Sequence, residues 1–159
     1  MSLSEILKQH PFMAGLPDSA IHQISAFARD VSFQENEVVL ETGQRSASFY
    51  LLYSGSACVE VASRSYTVWV QILGSGEAFG WSAFLDHHDT LFQVRTREAS
   101  RALCLDSEKL ASLMHADSGL AAELLRRALK LVAGRVQATE ARLGEMCGLK
   151  IPKKKSQPG

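Results

Sequence analysis

Apolar residues recur at every second position through the middle of this chain, and that alternation constrains the fold more than any other feature. A period of two is typical of a β-strand with one buried face. Turn signals such as Thr42-Gly43 and Ser54-Gly55 separate the apolar segments at intervals of roughly ten residues. Short strands at that interval predict an antiparallel β-sandwich or β-roll. The alternating segments are Val31 and Phe33; Val38 and Leu40; Phe49, Leu51 and Tyr53; Val59 and Val61; Val68, Val70 and Ile72; and the segments around Phe92 and Leu103.

Helical patterns flank these strands. A first short helix is predicted to end before Pro11, because the residue before a proline disfavours the α conformation. A second is predicted to begin at Pro17, since proline is favoured in the first turn. After Asp106 the helical period returns, and the last helix is predicted over about 118–146. The fold class is therefore mainly β with flanking α: an antiparallel β-roll, jelly-roll-like (a double-stranded β-helix), over about 31–106.

The last predicted helix carries two apolar stripes. A helix that packs only on its own domain needs one stripe, so we expect one to dock on the β-roll and the other to meet a second copy of the chain. The alternative is a single broad buried face. The docking stripe is Leu120, Leu124, Ala128, Leu131 and Ala138. The second stripe repeats every four and three residues, like the seam of a coiled coil, and consists of Leu125, Leu129, Val132, Val136, Thr139, Leu143 and Met146.

Length and charge narrow the function classes. At 159 residues the chain predicts one domain, over 1–147, followed by a disordered tail over 148–159. It has no apolar run of membrane-spanning length and no secretory signal, so we expect a cytoplasmic protein without a membrane partner. Formal charge is zero, but four of the 17 basic residues fall in the tail, which has no acidic residue. The body therefore has 13 basic residues (17 minus 4) against 17 acidic ones. A net-acidic body is a poor binder of nucleic acid.

Catalytic and metal-binding patterns are weak. Three separated cysteines, Cys58, Cys104 and Cys147, fit no metal spacing and are typical of reduced thiols. His87 and His88 stand between two aspartates and are weak metal candidates; a polar surface loop is the other interpretation. The sequence has no nucleophile elbow, zinc-protease motif or P-loop. We therefore expect no enzyme, and assign no metal.

A glycine-rich stretch stands between two predicted strands. Gly74, Gly76 and Gly80 allow tight turns. The hydroxyl residue Ser82 and the apolar run 83–85 follow them. Backbone N–H groups in such a stretch can face an anion, or the stretch can simply turn a corner. It resembles the phosphate-binding cassette of the cyclic nucleotide-binding domains of Crp/Fnr-type regulators. The matching positions are Gly76, Glu77, Phe79, Gly80 and Phe84-Leu85 in the stretch, and Gly43, Phe49 to Leu52 and Ser54-Gly55 before it.

Two positions depart from that family pattern. Where the family has a glutamate for the ribose this chain has Trp81, and where the family has a phosphate-binding arginine it has Thr90. Arg95 could replace that cation, or could face solvent. The resemblance implies cyclic AMP or cyclic GMP as ligand, and the departures predict that binding is weak, altered or absent. The candidate ligand-binding residues are Gly76, Phe79, Gly80, Trp81, Ser82, Ala83, Thr90, Leu91, Arg95 and Thr139.

These observations predict a non-enzymatic regulatory sensor module that forms a homodimer through its last helix and acts on an unknown partner protein. The resemblance itself favours the dimer, since the family dimerises through this helix. One alternative is the effector domain of a Crp/Fnr-type transcription regulator. Such regulators carry a helix-turn-helix domain after the long helix, and this sequence ends at Gly159, so we expect no specific nucleic-acid partner. The other alternative is a structural dimerisation scaffold.

Overall fold

The computed structural model describes residues 1–86 and 89–149 and contains two four-stranded antiparallel sheets. The strands are β1 Arg29–Phe33, β2 Val38–Leu40, β3 Ser48–Ser54, β4 Ala57–Ala62, β5 Thr67–Leu73, β6 Ala78–Phe79, β7 Phe92–Thr96 and β8 Ser100–Asp106. In the first sheet the strand order is β1-β8-β3-β6, and in the second it is β2-β7-β4-β5. The prediction of an antiparallel β-roll with flanking helices is confirmed.

Four helices flank the roll in the described part of the chain, and side-chain caps are present at the start of the first, third and fourth of them. Ser2 and Glu5 form a capping box at the first helix. Asp117 caps the last helix by accepting a hydrogen bond from the backbone N–H of Leu120. Among the described residues, no helix combines the length and apolar character needed to cross a membrane. The helices are α1 Leu3–Gln9, α2 Asp18–Ser25, α3 Ser107–Ala116 and α4 Ser118–Met146.

The sheet that contains β3 and β8 is buried on both faces. Phe49 and Leu103 face the helices, in a core that also takes in Leu120 and Leu124 of α4. Phe79 belongs to a second core enclosed by the roll. Helix α4 therefore packs on the outside of the roll through its docking stripe, and it also contacts β5 at the edge of the second sheet.

Candidate functional site

The cassette-like stretch forms a turn, the short strand β6 and a 3₁₀ turn at Trp81–Phe84. Gly80 joins the last two with φ of 87°. A Cβ at this residue would lie 2.7 Å from the carbonyl oxygen of Ser48, so only glycine fits. The Ser82 hydroxyl accepts a hydrogen bond from the backbone N–H of Ser46 at 2.9 Å. That hydroxyl therefore holds the cassette against the chain that precedes β3.

A small cavity lies beneath the cassette, and we call it the cassette cavity. It has a volume of about 20 Å³, room for a single water molecule. Phe92, Val94 and Val59 line it on the side of the second sheet. Five of the predicted ligand-binding residues come together around it: Phe79, Gly80, Trp81, Ser82 and Thr90.

The other predicted residues lie elsewhere. Leu91 is 69% exposed, and Ala83 is buried in the helix-facing core behind the 3₁₀ turn. Gly76 lines a different cavity, described below. Thr139 donates a hydrogen bond from its hydroxyl to the carbonyl oxygen of Arg135 at 2.7 Å and does not line the cassette cavity.

Arg95 also lies apart from the cassette cavity. Its Nε donates to Oε1 of Glu60 at 3.0 Å, and the Gln93 side chain donates to the same oxygen at 2.6 Å. Because side chains alternate along a strand, Gln93 and Arg95 face away from Phe92 and Val94, which line the cavity. Arg95 thus belongs to a polar cluster on the outer face of the second sheet.

The cation at the cassette cavity comes from α4 instead. Arg135 is 4% exposed, lines the cavity and donates a hydrogen bond from Nη1 to Oε1 of Gln71. Burial lowers the pKa of its guanidinium to about 10, while the negative charge of Glu77 acts in the opposite direction. Within the described residues no carboxylate pairs with it at ion-pair distance. The sequence signal was its place in the docking stripe, four residues after Leu131.

A larger cavity lies on the other side of Arg135, and we call it the outer cavity. It has a volume of about 240 Å³ and lies between α4 and the turn that joins β5 to β6. Its lining mixes charged and apolar side chains with two glycines. The lining residues are Phe12, Gln71, Leu73, Gly76, Glu77, Ala78, Lys130, Leu131, Gly134 and Arg135.

The metal candidates His87 and His88 lie outside the described residues. Across residues 1–86 and 89–149, no group of three or more His, Cys, Asp or Glu side chains is placed to hold a metal ion. Cys58 and Cys104 are buried free thiols, and Cys147 is exposed.

The β-roll, the cassette and the long C-terminal helix together define a ligand-sensing domain of the kind found in regulatory proteins. A family model described as "Cyclic nucleotide-binding domain" matches residues 30–117. The chain belongs to the cyclic nucleotide-binding domain family, whose members are typically not catalytic. No curated protein matches the chain as a sequence relative.

Solved structures share the fold at low sequence identity. A candidate cyclic nucleotide-binding protein from Geobacter metallireducens is 20% identical with a TM-score of 0.76, over 86% of this chain and 99% of that one. The catabolite activator protein of Thermus thermophilus is 18% identical with a TM-score of 0.67, over 86% of this chain and 63% of that one. A regulatory subunit of a cAMP-independent protein kinase A from Trypanosoma brucei, solved as a triple mutant bound to cAMP, is 16% identical with a TM-score of 0.67. It matches 89% of this chain and 49% of its own.

Proposed function

We propose that this chain is a non-enzymatic regulatory domain whose cassette cavity is closed to cyclic AMP and cyclic GMP. The observation that carries the proposal is the volume of that cavity beneath the cassette, about 20 Å³. Sites for small molecules usually enclose about 300–1,000 Å³. A nucleotide would have to displace the buried Val94 and its neighbour Phe92, and both belong to the core of the roll.

The chemistry of the lining supports the same proposal. A cyclic nucleotide needs an acceptor for its ribose hydroxyl and a cation for its phosphate, and the corresponding positions are Trp81 and Thr90. A hydrogen bond to a charged group is worth about 1.5–3 kcal/mol, so the loss of both anchors costs on the order of a hundredfold or more in affinity. Arg135 also lines the cavity, but the two anchor positions, Trp81 and Thr90, do not fit the ligand that the family name implies.

A neighbour of the same fold offers a parallel. The kinase regulatory subunit from Trypanosoma brucei is described as cAMP-independent, and its structure with cAMP is that of a triple mutant. One of the three substitutions replaces a threonine by an arginine. A cyclic nucleotide-binding domain can therefore serve a regulatory protein that does not depend on cAMP, and we propose that Thr90 contributes to such independence here.

We further propose that the chain forms a homodimer through the second apolar stripe of α4, which we call the seam stripe. Leu129 is 68% exposed and Leu143 is 61% exposed, although both belong to a long amphipathic helix. Leu125, Val136 and Met146 are exposed on the same stripe. A four-three repeat of apolar residues is the pattern that pairs helices in a coiled coil. Movement of α4 relative to the roll would then change the surface that a partner protein meets.

Calorimetry tests the closed cavity. We expect no heat when millimolar cyclic AMP or cyclic GMP is titrated into the protein at moderate salt. Binding at micromolar affinity would contradict the proposal, because a nucleotide needs more room than the cassette cavity has. If the protein binds no small molecule at all, a structural dimerisation scaffold becomes the better assignment of function.

Sedimentation tests the dimer. We expect the protein to sediment as a dimer and Leu129→Glu to shift it to monomer, because a buried carboxylate in the seam would be unpaired. Gln137→Glu adds the same charge on an exposed position away from the seam and is the matched control. A protein that is already monomeric, or two variants that behave alike, would overturn the assignment of the seam.

A further inference from the structure

We propose that the outer cavity is a binding site for a small organic anion with an apolar body, such as an aromatic carboxylate or phosphate ester. The cavity lies between α4, the Phe12 segment and the β5–β6 turn. Its volume of about 240 Å³ is just below the usual range for small-molecule sites and suits a ligand smaller than a nucleotide. Ligand sites of this kind combine an apolar lining with a few convergent polar groups. The outer cavity has both.

Two cations of α4 supply the polar part. Lys130 and Arg135 both line the cavity. A guanidinium has five N–H donors, and in the described part of the chain a single one, on Nη1, is engaged, by Gln71. Glu77 is the one acidic residue of the lining, and its carboxylate accepts the backbone N–H of Gly74 at 2.6 Å. The lining therefore has a net positive charge and retains donors for an anion.

Apolar side chains supply the remainder. Phe12, Leu73 and Leu131 line the cavity together with Ala78. The Phe12 ring already packs against the buried Phe49 at 4.8 Å between centroids, which fixes its position. An aromatic or aliphatic body can lie against these side chains while its anionic group meets Lys130 and Arg135.

Gly134 is the second observation that points to a ligand. Glycine is less favourable than alanine inside a helix, and a Cβ at this position would meet no atom within 4 Å. No clash in the chain therefore requires a glycine here. The dimer seam does not require it either, because at 3.6 residues per turn Gly134 lies about 160° around the helix from Val132 and Val136. The glycine leaves space open to the backbone of α4 between Lys130 and Arg135.

This site is distinct from the cassette cavity, although Arg135 lines both. An anion in the outer cavity would contact the guanidinium of Arg135 and therefore act directly on α4. The proposal therefore adds a ligand site to the proposed function, in which the cassette cavity is closed. Binding in the outer cavity does not depend on whether the chain dimerises.

Amide NMR of the full chain tests the site with benzoate, phenylacetate and phenyl phosphate as probes and benzyl alcohol as the neutral comparator. We expect the anions to shift the amides of Gly76, Ala78 and Gly134 with Kd of about 1 mM or tighter. Benzyl alcohol should bind at least about tenfold more weakly, because it lacks the charge that Lys130 and Arg135 recognise.

Matched variants locate the binding. Gly134→Leu should abolish binding by filling the cavity, and Gly119→Ala, a change in the same helix outside the cavity, should leave it intact. Lys130→Gln should weaken binding about tenfold, while Lys109→Gln on α3 should not. The proposal is overturned if none of the three anions shifts these amides, or if benzyl alcohol binds as tightly. Shifts at Thr90 and Phe92 instead would overturn it and would also count against the closed cassette cavity.

Discussion

The two cavities on either side of Arg135 differ by an order of magnitude in volume, about 20 Å³ against about 240 Å³, although they share one arginine. The cassette cavity is filled by Phe92 and Val94, which project from β7 into the roll. The outer cavity stays open beside Gly76 and Gly134, which have no side chain to fill it. On one fold, the size of a few side chains decides which side of the C-terminal helix has room for a ligand.

The largest effect is expected from enlarging the cassette cavity and restoring its two anchors. A fourfold variant restores the family pattern of two anchors and two small residues. Its changes are Trp81→Glu, Thr90→Arg, Leu91→Ser and Phe92→Ala. We expect them to raise the affinity for cyclic AMP about a hundredfold or more, since two charge-assisted contacts return. Calorimetry measures the gain.

The control for that experiment carries Leu91→Ser and Phe92→Ala alone. It enlarges the cavity without restoring either charge, so it should bind cyclic AMP far more weakly than the fourfold variant. Equal binding by both would mean that volume alone closes the cassette. If the fourfold variant folds but gives no heat with cyclic AMP, the two anchor positions taken from the family pattern are misassigned.

The fold was predictable because its signals are local. Alternation and turn residues lie within a few positions of one another, and Asn36, of a residue type that tolerates the left-handed region, has φ of 63° in the turn between β1 and β2. The outer cavity was not predictable, because it joins Phe12 to Gly134 across most of the chain and neither residue carries a local signal. Arg135 was missed because a lone charge within an apolar stripe does not show which partner it meets.

A second test measures what Arg135 contributes to stability and to anion binding. Arg135→Met should leave the free energy of unfolding unchanged or raise it, because a buried cation without a carboxylate is replaced by an apolar chain of similar length. It should also weaken anion binding in the outer cavity at least about tenfold. Chemical denaturation and the NMR titration measure the two effects.

The companion variant is Gln71→Met. It removes the acceptor of the Arg135 hydrogen bond and leaves a buried guanidinium unsatisfied, so it should cost about 1–3 kcal/mol of stability. If Arg135→Met proves the more destabilising of the two, the guanidinium has a stabilising partner beyond Gln71, and the outer cavity has fewer free donors than we infer.

Acid should loosen the outer cavity more than the cassette cavity. His10 is buried; its Nε2 lies 3.0 Å from the carbonyl oxygen of Leu52 and 3.2 Å from that of Glu77, and its Nδ1 accepts the backbone N–H of Phe12 at 3.2 Å. Burial lowers the pKa of His10 below its usual 6.5, and the two carbonyl contacts only partly oppose this. The unfolded chain therefore binds a proton that the folded chain resists, and stability should fall as the pH drops below about 6.5.

Melting temperatures between neutral and mildly acidic pH measure this effect. Protonated His10 can no longer accept from Phe12, so the amides of Phe12 and Glu77 should change before those of Thr90 and Phe92. His10→Gln should be less stable at neutral pH but should lose most of the pH dependence. A variant that keeps the full dependence would assign it to carboxylates elsewhere in the chain.

The smallest expected effect lies at Gly134. Gly134→Ala should raise the free energy of unfolding by about 0.5–1 kcal/mol, because alanine is the better helix former and its Cβ meets no atom within 4 Å. Gly119→Ala is the control, since a Cβ there would lie 3.5 Å from Oδ1 of Asp117, at ordinary contact distance in the first turn, where propensity counts for less. Chemical denaturation separates the two. A destabilised Gly134→Ala would show that the space beside this glycine is occupied in the free protein, and the outer cavity would then be no more open than the cassette cavity.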